Sequence, residues 1–216
     1  MGIVKQPFEY YVVLDFEATC DRGKAPVPQE IIEFPSVLLS GDTFEILDEF
    51  RSFVQPRFNR LLTPFCTELT GITQDQVDQA PLFPEVLDDH IAWLRGRGLG
   101  VRSRDEGSDF AYITCGDWDL QKMFRTQCRV CQPPIGRIPE AFERWVNIKK
   151  HFAASFGLKK TSGMSGMLRR LKLELTGRHH CGIDDCRNIA KIVRCLAGRG
   201  VELSTTNQPP GGPGGL

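Results

Sequence analysis

Apolar residues are concentrated in three runs within the first quarter of the chain. The run Tyr10–Glu17 is dense in aromatic and β-branched residues, which predicts a buried strand. Ile31–Leu39 and Phe44–Val54 predict two further strands, separated by the turn-forming segment 40–42 (SGD). Together the three segments predict a meander at one end of a β-sheet.

The pattern becomes helical after residue 56. Thr63 followed by Pro64 predicts the start of a helix, and Thr73–Gln76 has the spacing of a capping box. Pro84–Leu94 repeats apolar residues at helical intervals and predicts a longer helix. Gly96–Ser108 is rich in Gly, Arg and Asp, which predicts a surface loop.

Strands and helices alternate in the second half of the chain. Phe110–Cys115 predicts a strand, and Asp117 is placed to cap a helix that runs from Trp118 to about Thr126. Trp145–Lys149 predicts a further strand. Strands come first and then alternate with helices, so the pattern predicts an α/β fold with a mixed β-sheet flanked by helices.

The last predicted elements are two helices, Met164–Leu171 and Asp184–Leu196, the second closed by Gly198 as a left-handed cap. Residues 207–216 are almost entirely Pro and Gly and predict a disordered tail. Residues 1–206 are therefore expected to form a single domain.

Composition limits the classes of protein that remain. The 216 residues carry 27 basic and 27 acidic side chains, so a polyanion would have to bind a local basic patch. No apolar run is long enough to span a bilayer, and the first six residues lack the layout of a secretory signal. We therefore expect a protein of the cytoplasm, the nucleus or both, neither secreted nor in a membrane. The sequence names no protein partner, and we expect a monomer.

The chain has eight cysteines, which we expect to be reduced and mostly buried thiols. Cys128 and Cys131 form an isolated CxxC pair. A zinc site would need two more ligands at similarly tight spacing, and none is obvious. The role of this pair stays open.

Two acidic residues lie at the end of the first predicted strand. Side chains on a strand alternate between faces, so Asp15 and Glu17 are expected on the same side, as one half of a divalent-metal site. A solvent-facing strand end is the ordinary alternative. Asp119 follows the strand at residues 110–115 and is expected at the same sheet edge. The alternative role for Asp119 is at a helix terminus, but Asp117 could serve that role equally well.

A third acidic group follows a histidine near the end of the chain. His180 lies in a loop and Asp185 in the helix that follows it. A loop histidine beside a carboxylate is commonly a surface pair, and it can also be a general base. His179 is the rival imidazole, and only the five-residue step to Asp185 favours His180.

These residues lie in motifs that resemble the DnaQ-like exonuclease family, which is named for its Asp, Glu, Asp, Asp and His residues. The motifs are residues 14–19 (LDFEAT), 116–120 (GDWDL) and 180–185 (HCGIDD). Residues 28–35 (PQEIIEFP) and 62–72 (LTPFCTELTGI) resemble the enhanced-RNA-interference branch of that family. The resemblance covers residues 8–203, and it implies a ribonuclease-H-like fold.

The resemblance also implies an activity and a cofactor. It implies a 3′-5′ exoribonuclease that acts on RNA with a free 3′ end, in RNA processing or turnover. Asp15, Glu17, Asp119 and Asp185 would hold two Mg²⁺ ions, for which Mn²⁺ can substitute. His180 would accept a proton from the attacking water, and whether His179 contributes stays open.

Substrate contacts are expected around the motifs. Trp118 is expected either to stack on a terminal base or to be a core residue. The resemblance implies further walls of the nucleotide site, at Phe16, Ala18, Leu69, Gly71 and Ile72. Basic residues of the C-terminal half form either a phosphate track or a solvated face. These are Lys149, Lys150, Lys159, Lys160, Arg169, Arg170 and Arg178.

Two other functions compete with an RNA exonuclease. A DNA 3′-5′ exonuclease would use the same metal chemistry, because only contacts with the 2′-hydroxyl distinguish RNA. A catalytically silent adaptor that binds RNA or protein would keep the fold without the chemistry. The presence of all five catalytic residues favours an enzyme.

Overall fold

A six-stranded mixed sheet forms the centre of the computed structural model, which describes residues 4–100 and 110–207. The strands are β1 (Tyr10–Leu14), β2 (Glu17–Ala18), β3 (Ile31–Ser40), β4 (Ile46–Phe53), β5 (Phe110–Thr114) and β6 (Trp145–Asn147). The helices are α1 (Pro64–Thr70), α2 (Gln74–Asp78), α3 (Phe83–Gly96), α4 (Phe124–Val130), α5 (Ile148–Ser155), α6 (Met164–Leu171) and α7 (Gly182–Gly198). A π-helical segment, Trp118–Met123, precedes α4, and a 3₁₀ turn, Glu140–Glu143, precedes β6.

The sheet combines an antiparallel half with a parallel half. β1, β3 and β4 pair antiparallel and form the predicted meander, while β1, β5 and β6 pair parallel. Val12 lies opposite Leu38 on one side and Tyr112 on the other. The short β2 continues the line of β1 along β3. The predicted α/β class with a mixed sheet is confirmed.

Both faces of the sheet are covered, which explains the uninterrupted apolar sequence of β1. Tyr11 and Val13 point to one face, where α5, α6 and α7 pack. Val12 and Leu14 point to the other, where α3 and α4 pack. The parallel strands end at one edge of the sheet, where ligand sites of α/β proteins usually form.

Several helix boundaries follow the predicted caps. The side chain of Thr63 accepts a hydrogen bond from Cys66 N and caps α1, and Thr73 and Gln76 form the predicted capping box of α2. The long helix predicted at residues 84–94 is α3.

Two predicted caps are wrong. Asp117 does not cap the next helix, because its carboxylate accepts a hydrogen bond from Trp145 Nε1 (3.0 Å) and pairs with Lys150 Nζ (3.1 Å). Gly198 is the last helical residue of α7, and the positive φ of 85° falls at Gly200.

Two predicted strands are also shorter than expected. The run at residues 10–17 is interrupted at Asp15 and Phe16, between β1 and β2. The strand predicted at residues 145–149 ends at Asn147, whose side chain accepts a hydrogen bond from Lys149 N (3.0 Å) and so starts the unpredicted helix α5.

Parts of two predictions lie outside the described residues. Residues 101–108 of the predicted surface loop and residues 208–216 of the predicted tail belong to this group. Within the described ranges, no helix is both long and apolar enough to cross a membrane. All eight cysteines are free thiols, but only four are fully buried, fewer than expected: Cys66, Cys128, Cys131 and Cys186.

Candidate active site

The break between β1 and β2 presents the first two acidic groups. Asp15 follows the last residue of β1, and Glu17 lies in β2 directly opposite Glu33 on β3. Both acids line one cleft, although the strand on which the prediction placed them is interrupted. Only 8% of Glu17 is exposed, so its carboxylate lies in a largely desolvated position.

Asp119 joins this site from the next parallel strand. It is the second residue of the π-helical segment after β5, and only 4% of it is exposed. Its Oδ1 accepts a hydrogen bond from the backbone N–H of Phe16 at 3.0 Å. Asp119 therefore stabilises the break between β1 and β2 and lies close to Asp15.

Asp185 enters from the first turn of α7, with 3% of it exposed. Its Oδ2 accepts a hydrogen bond from His180 N at 2.9 Å, and the Nε2 of His179 lies 4.0 Å from the same oxygen. One ligand atom from each of these three residues lies within 4.8 Å of the others. The Asp185 carboxylate thus connects the loop that carries His179 and His180 to the other acids of the site.

The cleft contains about 800 Å³ of open space. Eight predicted residues line it: Asp15, Phe16, Glu17, Ala18, Leu69, Trp118, His180 and Asp185. Trp118 is 38% exposed, so it is not the core residue of the alternative prediction. Lining residues that the sequence did not indicate include Cys20, Gln29, Cys115 and Met164.

Two predicted walls of the nucleotide site lie elsewhere. Ile72 is only 2% exposed and packs in a small core with Ile32, Cys66 and Val77. Gly71 is the left-handed C-cap of α1, and the Arg178 side chain lies against it. Within the described residues neither lines the cleft.

Burial and mutual repulsion disfavour the charged forms of the four acids. Burial, followed by the charges of Asp119 and Asp185, raises the pKa of Asp15 well above its usual value. Burial and then Asp15 raise the pKa of Glu17 to about 10. Burial also raises the pKa of Asp119 to about 7 and that of Asp185 to about 6. The cluster therefore resists carrying its full negative charge.

The donor set fits a hard divalent cation. Asp185 Oδ1 is buried and has no hydrogen-bond partner among the described residues. A buried carboxylate oxygen is costly when it is unpaired, and a cation would satisfy it. Asp15, Glu17 and Asp185 line the same cleft, and carboxylate oxygens are the ligands that Mg²⁺ and Mn²⁺ prefer.

Basic side chains near the cleft change the pKa of His180 and of two of the acids. Burial, then the charges of His179 and Arg178, lowers the pKa of His180 below its usual value, which favours the neutral imidazole. The Lys149 charge opposes the raised pKa of Asp15 and Asp119. Of the predicted basic track, Lys149 and Arg178 therefore lie beside the site. Arg170 stacks on the Phe156 ring at 4.9 Å.

A buried fifth carboxylate, Glu33, was missed by the sequence analysis. Its Oε1 accepts a hydrogen bond from Arg51 Nε at 2.8 Å, and its Oε2 accepts one from Gly182 N at 3.1 Å. Glu33 therefore fastens the beginning of α7 to β3. An acid inside the apolar run 31–39 was the feature that could have indicated it, because a buried acid requires partners.

Comparison with known proteins adds a family match. A model of the Exonuclease family, RNase_T, matches residues 12–193. The chain is 43% identical to ERI1 exoribonuclease 3 of Bos taurus over 209 residues, which make up 97% of this chain and 60% of that protein. It is 39% identical to 3′-5′ exoribonuclease 1 of Homo sapiens over 198 residues, 91% of this chain and 54% of that protein. The chain thus spans between 54% and 60% of the length of these relatives.

Two solved structures superpose closely on the chain. The crystal structure of the nuclease domain of 3′hExo, described as a DEDDh family member bound to rAMP, superposes with a TM-score of 0.85 at 38% identity. That likeness covers 95% of this chain and 100% of the other. A structure that describes recognition of the histone mRNA stem-loop by 3′-exonuclease superposes with a TM-score of 0.85 at 36% identity, covering 95% of this chain and 69% of the other.

Proposed function

Because the chain belongs to the Exonuclease (RNase_T) family and has its ribonuclease-H-like fold, we propose that it removes nucleotides from the 3′ end of RNA by metal-dependent hydrolysis. The observation that carries this proposal is one cleft lined by Asp15, Glu17, His180 and Asp185. Asp119 lies beside it and accepts the hydrogen bond from Phe16 N. These residues come from three distant stretches of the chain, as the three motifs led us to expect.

In this proposal the four carboxylates hold two divalent cations, Mg²⁺ by preference, with Mn²⁺ able to substitute. Bound ions of this kind make an attacking water more acidic and offset the charge on the leaving 3′ oxygen. His180 accepts the proton of that water on an imidazole nitrogen, which its lowered pKa keeps free at neutral pH. Asp185 holds the histidine in place through the backbone N–H of His180.

RNA is the proposed substrate because the relatives that cover nearly all of this chain are named as exoribonucleases. The cleft supports a nucleotide, since the half-exposed Trp118 lines it and can stack on a base. Phe16, Ala18 and Leu69 form further apolar walls of the nucleotide site in this proposal. RNA processing or turnover is the process that such an activity would serve.

The test is the digestion of 5′-labelled single-stranded RNA, stem-loop RNA and DNA of the same sequence, with Mg²⁺ and with EDTA. We expect a ladder of shortened RNA products that still carry the 5′ label, only when the cation is present. Asp15→Ala should abolish the ladder and keep the circular dichroism of the parent. Asp117→Asn is the matched control, because Asp117 pairs with Lys150 and should leave the ladder intact.

Three results would refute parts of this proposal. An undiminished rate in Asp15→Ala would refute the assignment of the site. Faster digestion of DNA than of RNA would make the protein a DNA exonuclease. Tight RNA binding without digestion by the parent protein would make it an adaptor.

A further inference from the structure

A loop beside the catalytic cleft, residues 57–62, is held in place by hydrogen bonds to a buried acid. Glu30 is only 1% exposed, and its carboxylate accepts hydrogen bonds from the backbone N–H groups of Arg57 (2.6 Å), Phe58 (3.0 Å) and Asn59 (2.7 Å). Several donors on one carboxylate make a strong anchor. We call residues 57–62 the Phe58 loop.

The Phe58 loop is also fastened at its far end and at its side. Gln74 accepts a hydrogen bond from Leu62 N (2.9 Å) and donates one to Arg60 O (2.8 Å). Asn59 Nδ2 donates to Pro28 O at 2.7 Å, which joins the loop to the segment 21–29. The conformation of the loop is therefore held by hydrogen bonds within the protein.

This anchored loop presents large apolar side chains to solvent. Phe58 is 49% exposed and Leu61 is 81% exposed, and Val27 of the joined segment is 83% exposed. Their burial would contribute favourable free energy, yet the anchors hold them outward. Grouped and rigid apolar side chains at a surface indicate a binding site.

The exposed charges around these apolar side chains are mostly positive. The Phe58 loop and the segment 21–29 carry four exposed cations, Arg22, Lys24, Arg57 and Arg60, and one exposed anion, Asp21. The chain as a whole has no net charge, so this concentration is local. Aromatic and cationic groups side by side are the combination that binds single-stranded nucleic acid.

The surface is continuous with the catalytic cleft. Phe58, Arg60 and Leu61 line a groove together with Cys20, and Cys20 also lines the cleft that holds Asp15. A polynucleotide chain in the cleft would therefore have an adjoining path along the Phe58 loop.

We propose that the Phe58 loop is a second nucleotide site, which binds the RNA chain outside the catalytic cleft. Phe58 stacks on a base, and Arg60 pairs with a phosphate. The proposal rests on the RNA exonuclease activity proposed above and adds to it an affinity for longer substrates, because a mononucleotide would occupy only the cleft.

The test compares a long substrate with a short one. For the double variant Phe58→Ala, Arg60→Ala we expect KM on a 12-nucleotide single-stranded RNA to rise about tenfold or more. Hydrolysis of the p-nitrophenyl ester of thymidine 5′-monophosphate, which is too small to reach the loop, should stay unchanged. Because Arg60 contributes one phosphate contact, the slope of log affinity for the RNA against log salt should become shallower by about 0.7.

Controls separate stacking from a general surface effect. The double variant Leu47→Ala, Arg194→Ala removes one exposed apolar group on β4 and one exposed cation on α7. Neither residue lines the groove of the Phe58 loop, so this variant should keep the parent KM. Phe58→Tyr should keep the RNA affinity of the parent, because it keeps an aromatic face. Phe58→Leu should lower the affinity, because it keeps only an apolar side chain.

An unchanged KM on the long RNA would overturn the proposal, and it would mean that the exposed surface serves a protein partner or none. Failure of the activity itself is distinguishable. If Asp15→Ala hydrolysed the small ester at the parent rate, the proposed active site would be wrong, whatever the loop variants showed.

Discussion

His180 adopts a backbone conformation that side-chain-bearing residues rarely use. Its φ is 64°, in the left-handed region, which costs an L-residue roughly 1–2 kcal/mol. The hydrogen bond from His180 N to Asp185 and the one from Arg178 N to Asp184 Oδ2 (2.9 Å) hold the loop in this shape. Strain that the surroundings maintain is typical of functional residues. The neighbouring His179 does not have a positive φ, and its side chain is more exposed than that of His180.

This difference predicts unequal effects of removing the two imidazoles. We expect His180→Ala to lower kcat on RNA by about 10²- to 10⁴-fold, the usual contribution of a general base. His179→Ala should change kcat by only a few-fold. Single-turnover digestion with saturating Mg²⁺ measures both, and the reverse order of the two effects would assign the base to His179.

At the scale of single residues, the sequence identified groups whose position follows from a strand end or a helix start. Asp119 was expected at the sheet edge because it follows a strand by a short turn, and it lies there. Ile72 was expected in a wall of the nucleotide site but packs in a core, and Glu33 was not singled out at all. Both depend on how α1 and α7 dock against the sheet, and spacing along the chain carries no information about that contact.

The start of α7 lies unusually close to the strands that carry the acids. A Cβ atom added to Gly182 would lie 2.7 Å from Pro35 Cγ and 2.9 Å from the carbonyl oxygen of Asp15. Such distances require the helix to move. Because Asp185 lies in the same first turn, the fit at Gly182 fixes its distance from Asp15.

Gly182→Ala should therefore impair catalysis by displacing an element. We expect a loss of stability of about 1–3 kcal/mol from overpacking, and a loss of kcat of up to about 10²-fold from misplaced groups. Gly198→Ala is the matched control in the same helix, since nothing lies within 4 Å of its added Cβ. That variant should gain up to about 1 kcal/mol and keep its activity.

Urea denaturation and steady-state rates measure both glycine variants. Equal rates in the two would show that the fit at Gly182 does not position Asp185.

Elements with strong local patterns could be predicted, and those shaped by tertiary contacts could not. The Thr63 and Thr73 caps form within a few residues, so the sequence specified them. Asp117 was predicted as a cap by the same local logic, but its carboxylate is held by Trp145 and Lys150 from distant elements. The break after β1 likewise depends on Asp119, which accepts the hydrogen bond from Phe16 N.

The sheet separates the interior into two cores, and a histidine is buried in one of them. His90 of α3 is fully buried, its ring stacks on Phe34 at 4.5 Å, and its Nε2 lies 3.0 Å from Ser36 Oγ. Burial lowers the pKa of His90 from 6.5 to about 3. In the unfolded chain the ring regains its ordinary pKa, so between these values only the unfolded state binds the proton.

The contribution of His90 to stability should consequently decrease as the pH falls below about 6.5. The decrease is about 1.4 kcal/mol per pH unit, or about 2 kcal/mol between pH 6.5 and pH 5. The raised pKa values of the site acids act in the opposite direction over this interval, so the test compares two proteins that share those acids. The double variant Ser36→Ala, His90→Phe keeps a stacked ring without the titrating group, so its change in stability from pH 8 to pH 5 should be about 2 kcal/mol more favourable than that of the parent. Guanidinium denaturation of both proteins at pH 8 and pH 5 measures the difference, and equal changes in the two would contradict this assignment.

For the whole molecule, the four buried acids place a cost on folding that a bound cation relieves. Without a cation, burial and repulsion oppose the ionisation of Asp15 and Glu17. Asp15→Asn removes one of these charges and retains the shape of the side chain. Its Tm in EDTA at pH 8 should rise by a few degrees, since about 1 kcal/mol corresponds to about 2–4 °C in a chain of this size.

The same variant should lose the stabilisation that the parent gains from Mg²⁺, because ligand binding to the folded state raises Tm. Asp117→Asn should behave in the opposite way. It loses the ion pair with Lys150 and accepts only a neutral hydrogen bond from Trp145, so its Tm falls in EDTA, while its response to Mg²⁺ remains. Differential scanning fluorimetry with EDTA and with Mg²⁺ measures all three proteins. A full Mg²⁺ response in Asp15→Asn would contradict a cation site built on these acids, because the charge of Asp15 would then not contribute to cation binding.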